Sequence, residues 1–261
     1  MPFLSNCPVL YSYPSLPSTQ TLAQMLASAG AAHGTVVLAD QQTAGRGRAM
    51  RVWQTPAGSA LAASWVLRPG SALAISQVGL FGMLGAWAVW QSCQQLYGLL
   101  PDLKWPNDVW LAGKKLAGIL PTASFQGGQL DWVLLGIGVN LNGQPDSLGL
   151  PDNATTLSAQ TGELCDRWQF LTCVSEYLAK GYAQWCAQPQ QPAWLNTWRQ
   201  YLLWRDQDVL VYEGERHLVS GQVHGITPQG ALLLLVDGQL REVLFGELSV
   251  RLIDTDAKET H

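Results

Sequence analysis

The sequence predicts an α/β fold up to about residue 204, followed by a smaller all-β unit. Three observations point there. Strand-length apolar segments at 35–39, 59–67 and 132–142 are separated by helix-length ones. An uncharged stretch around 78–90, with glycines at 79, 82 and 85, has the make-up of a buried central helix. Beyond Arg205 the period changes to short strands set between Gly- and Pro-bearing turns.

Taken in order, residues 9–13 alternate weakly and suit a first strand. Ser18 or Thr19 then caps a helix over 21–28, which the glycines at 30 and 34 end. The strand at 35–39 delivers the chain to Gly45-Arg46-Gly47-Arg48, and 59–67 pairs with it, leaving the arginine segment as a loop across a sheet edge. A helix over 71–97 follows; its glycines permit close approach of a neighbour at about 1 kcal/mol each in propensity. We read it as a core helix rather than a membrane span, because polar residues and glycines interrupt it.

Leu103-Lys104-Trp105 ends a strand at Pro106, which cannot donate a ladder hydrogen bond. A hairpin turning at Ala112-Gly113-Lys114 would bring Lys104, Asn107, Asp108 and Lys115 into one neighbourhood. In the strand at 132–142, Gly136, Gly138, Asn140 and Asn142 share one face, and Leu135, Ile137, Val139 and Leu141 the other. The aliphatic face belongs against the long helix. A glycine face marks close approach of a ligand or of another backbone. Helical patterns at 168–185 and 194–204 follow, dense in tryptophan that we read as packing. Strands at 208–212, 218–223, 231–236, 240–243 and 248–251 suggest a small barrel. The expected domains are therefore 1–204 and 205–255.

Composition narrows the chemistry. With 15 basic against 19 acidic residues the chain has no charge excess for holding nucleic acid. Five scattered cysteines and four histidines lack metal-ligand spacing, and the thiols suit a reduced, cytoplasmic protein. The N-terminus has no basic region ahead of an apolar one, so no signal peptide is expected. Against this background, spending Arg46, Arg48, Arg51 and Lys115 near glycines points to a multiply charged anion. Asp108 would hold a divalent cation or accept bonds from those cations, and Trp53 would cover a ring. A phosphate-binding Gly-x-x-x-x-Gly-Lys-Ser/Thr loop, a Gly-x-Gly-x-x-Gly turn and a Gly-x-Ser-x-Gly elbow are all missing. The residues themselves support an anion- or nucleotide-binding enzyme.

Four motifs add a resemblance. Gly45-Arg46-Gly47-Arg48 with Trp53, Lys104-Trp105-Pro106-Asn107-Asp108, Lys115-Leu116-Ala117-Gly118-Ile119-Leu120 and Gly136-Ile137-Gly138-Val139-Asn140 stand in this order. Together they resemble the motif set of biotin protein ligases, and the likeness extends over about residues 8–253. It implies a mixed-sheet catalytic domain of the biotin/lipoate ligase type and a C-terminal SH3-like β-barrel. It also implies Mg-ATP and biotin as substrates, and as partner the biotin carboxyl carrier protein of acetyl-CoA carboxylase.

By the same resemblance, Ser18, Thr19 and Gln42 line the biotin end, Arg46 and Arg48 sit in a ligand-ordered loop over the intermediate, with Gly45 and Arg51 among the binding residues, and Trp53 helps shape its nucleotide side. Lys115, supported by Lys104, offsets charge at the carboxylate and α-phosphate. Asn107 and Asp108 arrange phosphates and magnesium. Gly118, Gly136 and Gly138 leave space for biotin, and Asn140 and Arg251 lie toward ATP.

The chain departs from the family pattern at Ala49 and Met50, at Ala60-Leu61-Ala62, and at Gln20. The first strand begins so near Met1 that no DNA-binding domain is expected ahead of it. Competing readings are a lipoate or octanoyl ligase or transferase, and a non-catalytic biotin or nucleotide sensor. A sheet edge either mediates a homodimer or is covered within a monomer.

Overall fold

The computed structural model describes residues 9–48, 52–53, 56–69 and 73–253. Arg51, Ala49 and Met50 lie outside the described residues. A seven-stranded sheet runs in the order β1-β2-β3-β7-β6-β5-β4. Its strands are β1 (Leu10–Leu16), β2 (Val36–Gln42), β3 (Ala60–Leu67), β4 (Asp102–Lys104), β5 (Asp108–Leu111), β6 (Lys114–Gln126) and β7 (Gln129–Asn140). Only β1 and β2 pair in parallel; the other neighbours are antiparallel, so the sheet is mixed. The turn between β5 and β6 is Ala112-Gly113, both with positive φ, the geometry that matches strand twist in a two-residue hairpin.

Helix α1 (Thr19–Ser28) covers one face, where Ala23 and Ala27 pack on Val37, Val66 and Leu134. The opposite face carries α2 (Leu80–Tyr97), which Gly98 ends with φ +66°. A Cβ added at Gly85 would lie 2.9 Å from Ile119 and 3.2 Å from Leu135, so the glycine lets the helix axis sink onto the aliphatic face of β6 and β7. The expected start of this helix at residue 71 is too early; a 3-10 turn, Ile75–Gln77, precedes it. Two short helices, α3 (Leu157–Thr161) and α5 (Leu195–Gln200), flank the long α4 (Arg167–Ala187). The α4 N-terminus is capped by Asp166, whose Oδ1 accepts from the backbone N–H of Trp168 and Gln169. Helix α4 lies across α2, with Trp87 and Tyr177 edge to face at 5.7 Å. Among the described residues no helix is long and apolar enough to cross a membrane.

The C-terminal strands are β8 (Asp208–Glu213), β9 (Arg216–Ile226), β10 (Leu232–Val236), β11 (Gln239–Val243) and β12 (Leu248–Leu252). They form an open five-stranded sheet, β11-β10-β9-β8-β12, and this corrects the expected barrel: β11 and β12 are its two edges and do not pair. The segment joining those edges is committed elsewhere. Phe245 stacks on Trp105 at 5.7 Å, and the Gly246 carbonyl accepts a hydrogen bond from Arg48. Trp105 Nε1 also donates to the Gly230 carbonyl at 2.9 Å. Buried residues of both sheets and of α2, among them Leu135, Leu80, Met83, Val209 and Leu232, belong to one contiguous core.

The arginine loop does not cross a sheet edge as expected. Both β2 and β3 are interior strands, so the loop passes over the end of an interior pair.

Candidate active site

The floor of the site is a cross-strand row of small residues. Ala62 on β3 pairs with Gly138 on β7, which pairs with Gly118 on β6. One pleat along, Ser64 pairs with Gly136, and Gly136 with Leu120. Above this floor lies a cavity of about 740 Å³. It is lined by Ser18, Thr19, Gln42, Arg46, Arg48, Trp53, Lys104, Asn107, Asp108, Lys115, Gly118, Gly136, Gly138, Asn140 and Arg251. Of the residues expected at the site, Arg51 falls outside the described residues, and Gly45 supports the loop without lining the cavity.

One end is a buried polar chain. Ser18, at the N-cap position of α1, is extended, yet its side chain makes no capping bond. The Gln42 carboxamide oxygen accepts from the Thr19 backbone N–H at 2.8 Å and from its hydroxyl at 3.1 Å. Thr19 Oγ1 lies 2.9 Å from Ser64 Oγ, which donates to Gln20 Oε1 at 2.9 Å. Thr19 carries a single hydroxyl proton, so it serves Gln42 or Ser64 but not both at once. The Gln20 amide nitrogen bridges the Leu120 carbonyl and Thr122 Oγ1. This places the Gln20 carboxamide directly over Gly136, where an added Cβ would meet its oxygen at 2.5 Å.

The other end is cationic. The loop closes on itself through Trp53 N–H to the Gly45 carbonyl and the Arg46–Val52 bridge. Gly45 has no room for a side chain, since a Cβ would sit 2.3 Å from the Trp53 carbonyl oxygen. Arg48 Nη1 donates to Asn107 Oδ1 at 3.0 Å, tying the loop to the hairpin. Asn107 in turn donates to the Ile119 carbonyl. Lys115 Nζ pairs with Asp108 Oδ2 at 2.8 Å and rests against Gly118. A bulge between Val109 and Trp110 shifts the β5–β6 register beside Lys115, and the Lys115 backbone bonds to Asn153 and Thr155. Asn140 donates to the Thr155 carbonyl, so its amide braces that same segment. Arg251 lies over the Tyr212 ring at 4.4 Å.

Two features escape sequence reasoning. The glycines line the cavity but are also covered by side chains of other residues: Trp53 lies on Gly138, with ring atoms 2.4–2.7 Å from where a Cβ would be. Its indole nitrogen is buried and has no hydrogen-bond partner among the described residues. Glu215, Glu247 and Ser249 also line the cavity, brought there by the C-terminal sheet, and no local motif flags them.

A mixed sheet whose small-residue floor is ringed by cations from four segments defines a site for an anion-bearing ligand. Residues 12–140 match the Biotin/lipoate A/B protein ligase family. The bifunctional ligase/repressor BirA of Bacillus subtilis is 33% identical over 237 residues, 90% of this chain and 72% of that protein. The biotin–[acetyl-CoA-carboxylase] ligase of Paracoccus denitrificans is 38% identical over 208 residues, 76% and 82% of the two chains. Among solved structures, the Aquifex aeolicus biotin protein ligase in complex with biotin and ATP superimposes with a TM-score of 0.79 at 27% identity. That superposition covers 94% of this chain and 99% of the other. The chain belongs to the biotin protein ligases of the biotin/lipoate A/B protein ligase family.

Proposed function

We propose that this chain is an ATP-dependent biotin protein ligase. A biotin carboxylate oxygen attacks the α-phosphorus of ATP, the α–β phosphoanhydride bond breaks, and pyrophosphate leaves. A carrier-protein lysine amine then attacks the acyl carbon of biotinyl-5′-AMP; AMP leaves and the amine gives up a proton. The observation that carries the reading is the convergence of Arg46, Arg48, Lys104 and Lys115 with Ser18, Thr19 and Gln42 on one cavity.

The first step brings a carboxylate and a polyphosphate together, and their repulsion is what the cations offset. Lys115 is assigned to the carboxylate and α-phosphate, with Lys104, Arg46 and Arg48 spread along the phosphates. Asp108 holds Lys115 in place until phosphate competes for it. Ser18, Thr19 and Gln42 supply donors and acceptors for the polar ring of biotin, and Gly118, Gly136 and Gly138 form the floor beneath the acid. Trp53 must slide off Gly138 to admit a ligand there, and its unpartnered N–H then has an acceptor to find. Asn140 and Arg251 belong to the nucleotide end.

Among the described residues no three His, Cys, Asp or Glu side chains cluster to hold a metal ion. Asp108, exchanging Lys115 for the ion, would hold a magnesium ion at this end of the cavity, with Asn107 beside it. Bound there, the ion supplies charge neutralisation for the leaving pyrophosphate.

The test is to incubate the chain with ATP, magnesium, biotin and an apo carrier domain and weigh the carrier. One biotinyl group added to one lysine is expected. An unchanged carrier mass with no biotin-dependent pyrophosphate would sink the reading.

A further inference from the structure

Lys104 is the cation on the cavity wall with the most unusual surroundings. Its Nζ lies 4.6 Å from the centroid of the Trp110 ring and 4.5 Å from that of Trp204. The two indoles meet at 5.8 Å and 64°, so the ammonium sits in the notch between two ring faces. Trp110 reaches it along the β4–β5 ladder, where Lys104 pairs with Asp108 and Asp102 with Trp110.

Trp204 comes from elsewhere. It follows α5 and precedes β8, the segment that joins the catalytic sheet to the C-terminal strands. Backbone bonds from Leu103 N–H to the Tyr201 carbonyl and from Leu203 N–H to the Leu103 carbonyl lay this segment along β4. Trp204 itself has φ +62°, a left-handed conformation that a large side chain rarely takes. A strained backbone persists only where its surroundings hold it, and here it turns the indole onto Lys104.

We infer that Trp204 is a positioning residue for the adenylation step: with Trp110 it holds the Lys104 ammonium at the nucleotide end of the cavity. An aromatic face suits that task because it attracts a cation through its quadrupole without adding negative charge. The lysine is thus oriented at the wall of the cavity it lines. The inference rests on the ligase reading for the role of Lys104.

Replacing Trp204 with glycine tests it, because glycine adopts the observed backbone conformation freely while the ring is removed. ATP binding is measured by calorimetry without biotin, and biotin-dependent pyrophosphate release alongside it. Trp204→Gly is expected to weaken ATP binding by about tenfold. Melting temperature should fall, because Trp204 packs against the core, but biotin affinity should change little and Trp204→Phe should restore most of the loss in ATP binding. In a Lys104→Met background, Trp204→Gly should have no further effect on ATP. Equal losses for ATP and biotin, no rescue by phenylalanine, or a full further loss in that background would overturn the inference. An unaltered chain that binds ATP but releases no pyrophosphate with biotin would instead remove the ligase reading and leave this comparison standing. A chain that binds no ATP would overturn both.

Discussion

Lys115 and Gly138 bracket the site at the scale of single residues. Lys115 Nζ is held by Asp108 at 2.8 Å over Gly118, where charge would build up during adenylation. Lys115→Met removes that charge at a half-exposed position, so folding should survive. Biotin-dependent pyrophosphate release should fall on the order of a hundredfold or more; a wild-type rate in a folded variant would refute the assignment. Gly138→Ala drives a methyl into the Trp53 ring, which already occupies that space. Overpacking of this kind costs about 1–3 kcal/mol. We expect weaker biotin binding by calorimetry with little change in far-UV circular dichroism. Both residues were legible in the sequence, because a lysine beside a glycine strip stands out where cations are scarce. What covers the glycines was not legible, since Gln20 and Trp53 reach Gly136 and Gly138 from more than 80 residues away in the chain.

At the scale of elements, α2 gives the clearest case. Gly85 is expected to tolerate no enlargement, because valine there would press on Ile119 and Leu135 in the centre of the sheet. Gly85→Val should destabilise the fold by about 1–3 kcal/mol in denaturant titration. The same helix carries Cys93, fully buried, whose thiol pKa is pushed far up by desolvation, with Cys165 and Cys173 adding to it. Burial also raises the hydroxyl of Tyr97 and the thiols of Cys165 and Cys173. In the unfolded chain these groups ionise at their ordinary values. The stability they contribute is therefore complete below the ordinary thiol pKa and is lost as pH rises above it. Melting temperature should decline at alkaline pH, less steeply in a Cys93→Ala variant relative to its own neutral-pH value. Native Cys93 should also resist thiol reagents at neutral pH. The strand at 132–142 was read correctly by face from Leu135 to Asn140, because period two is a local property, but it ends at Asn140, and Asn142 leaves the glycine face to bond with the Cys165 backbone. The start of α2 was missed, since propensity does not separate a 3-10 turn from a first helical turn.

At the scale of the whole molecule, Trp105 joins the two sheets through its stack on Phe245 and its hydrogen bond to Gly230. Trp105→Ala should cost about 3–5 kcal/mol. It should also weaken ATP binding, because Glu215, Ser249 and Arg251 reach the cavity only while the C-terminal sheet is docked. Equilibrium unfolding and ATP calorimetry on the same variant check both; a large stability loss with unchanged ATP affinity would separate docking from binding. We propose residues 1–204 and 205–255 as the two domains, although their buried residues join in one core.

The sequence by itself determined the interleaved helices and strands, the glycine-floored strand and the cationic segments, because each is written in local spacing and composition. It also determined the family, since four ordered motifs carry more information than any one. Only the tertiary structure decided that the last five strands stay an open sheet. Closure depends on whether β11 meets β12, and the residues between them, Phe245 and Gly246, are instead held by Trp105 and Arg48 from loops at the end of the catalytic sheet. Such a competition between partners distant in sequence leaves no local trace.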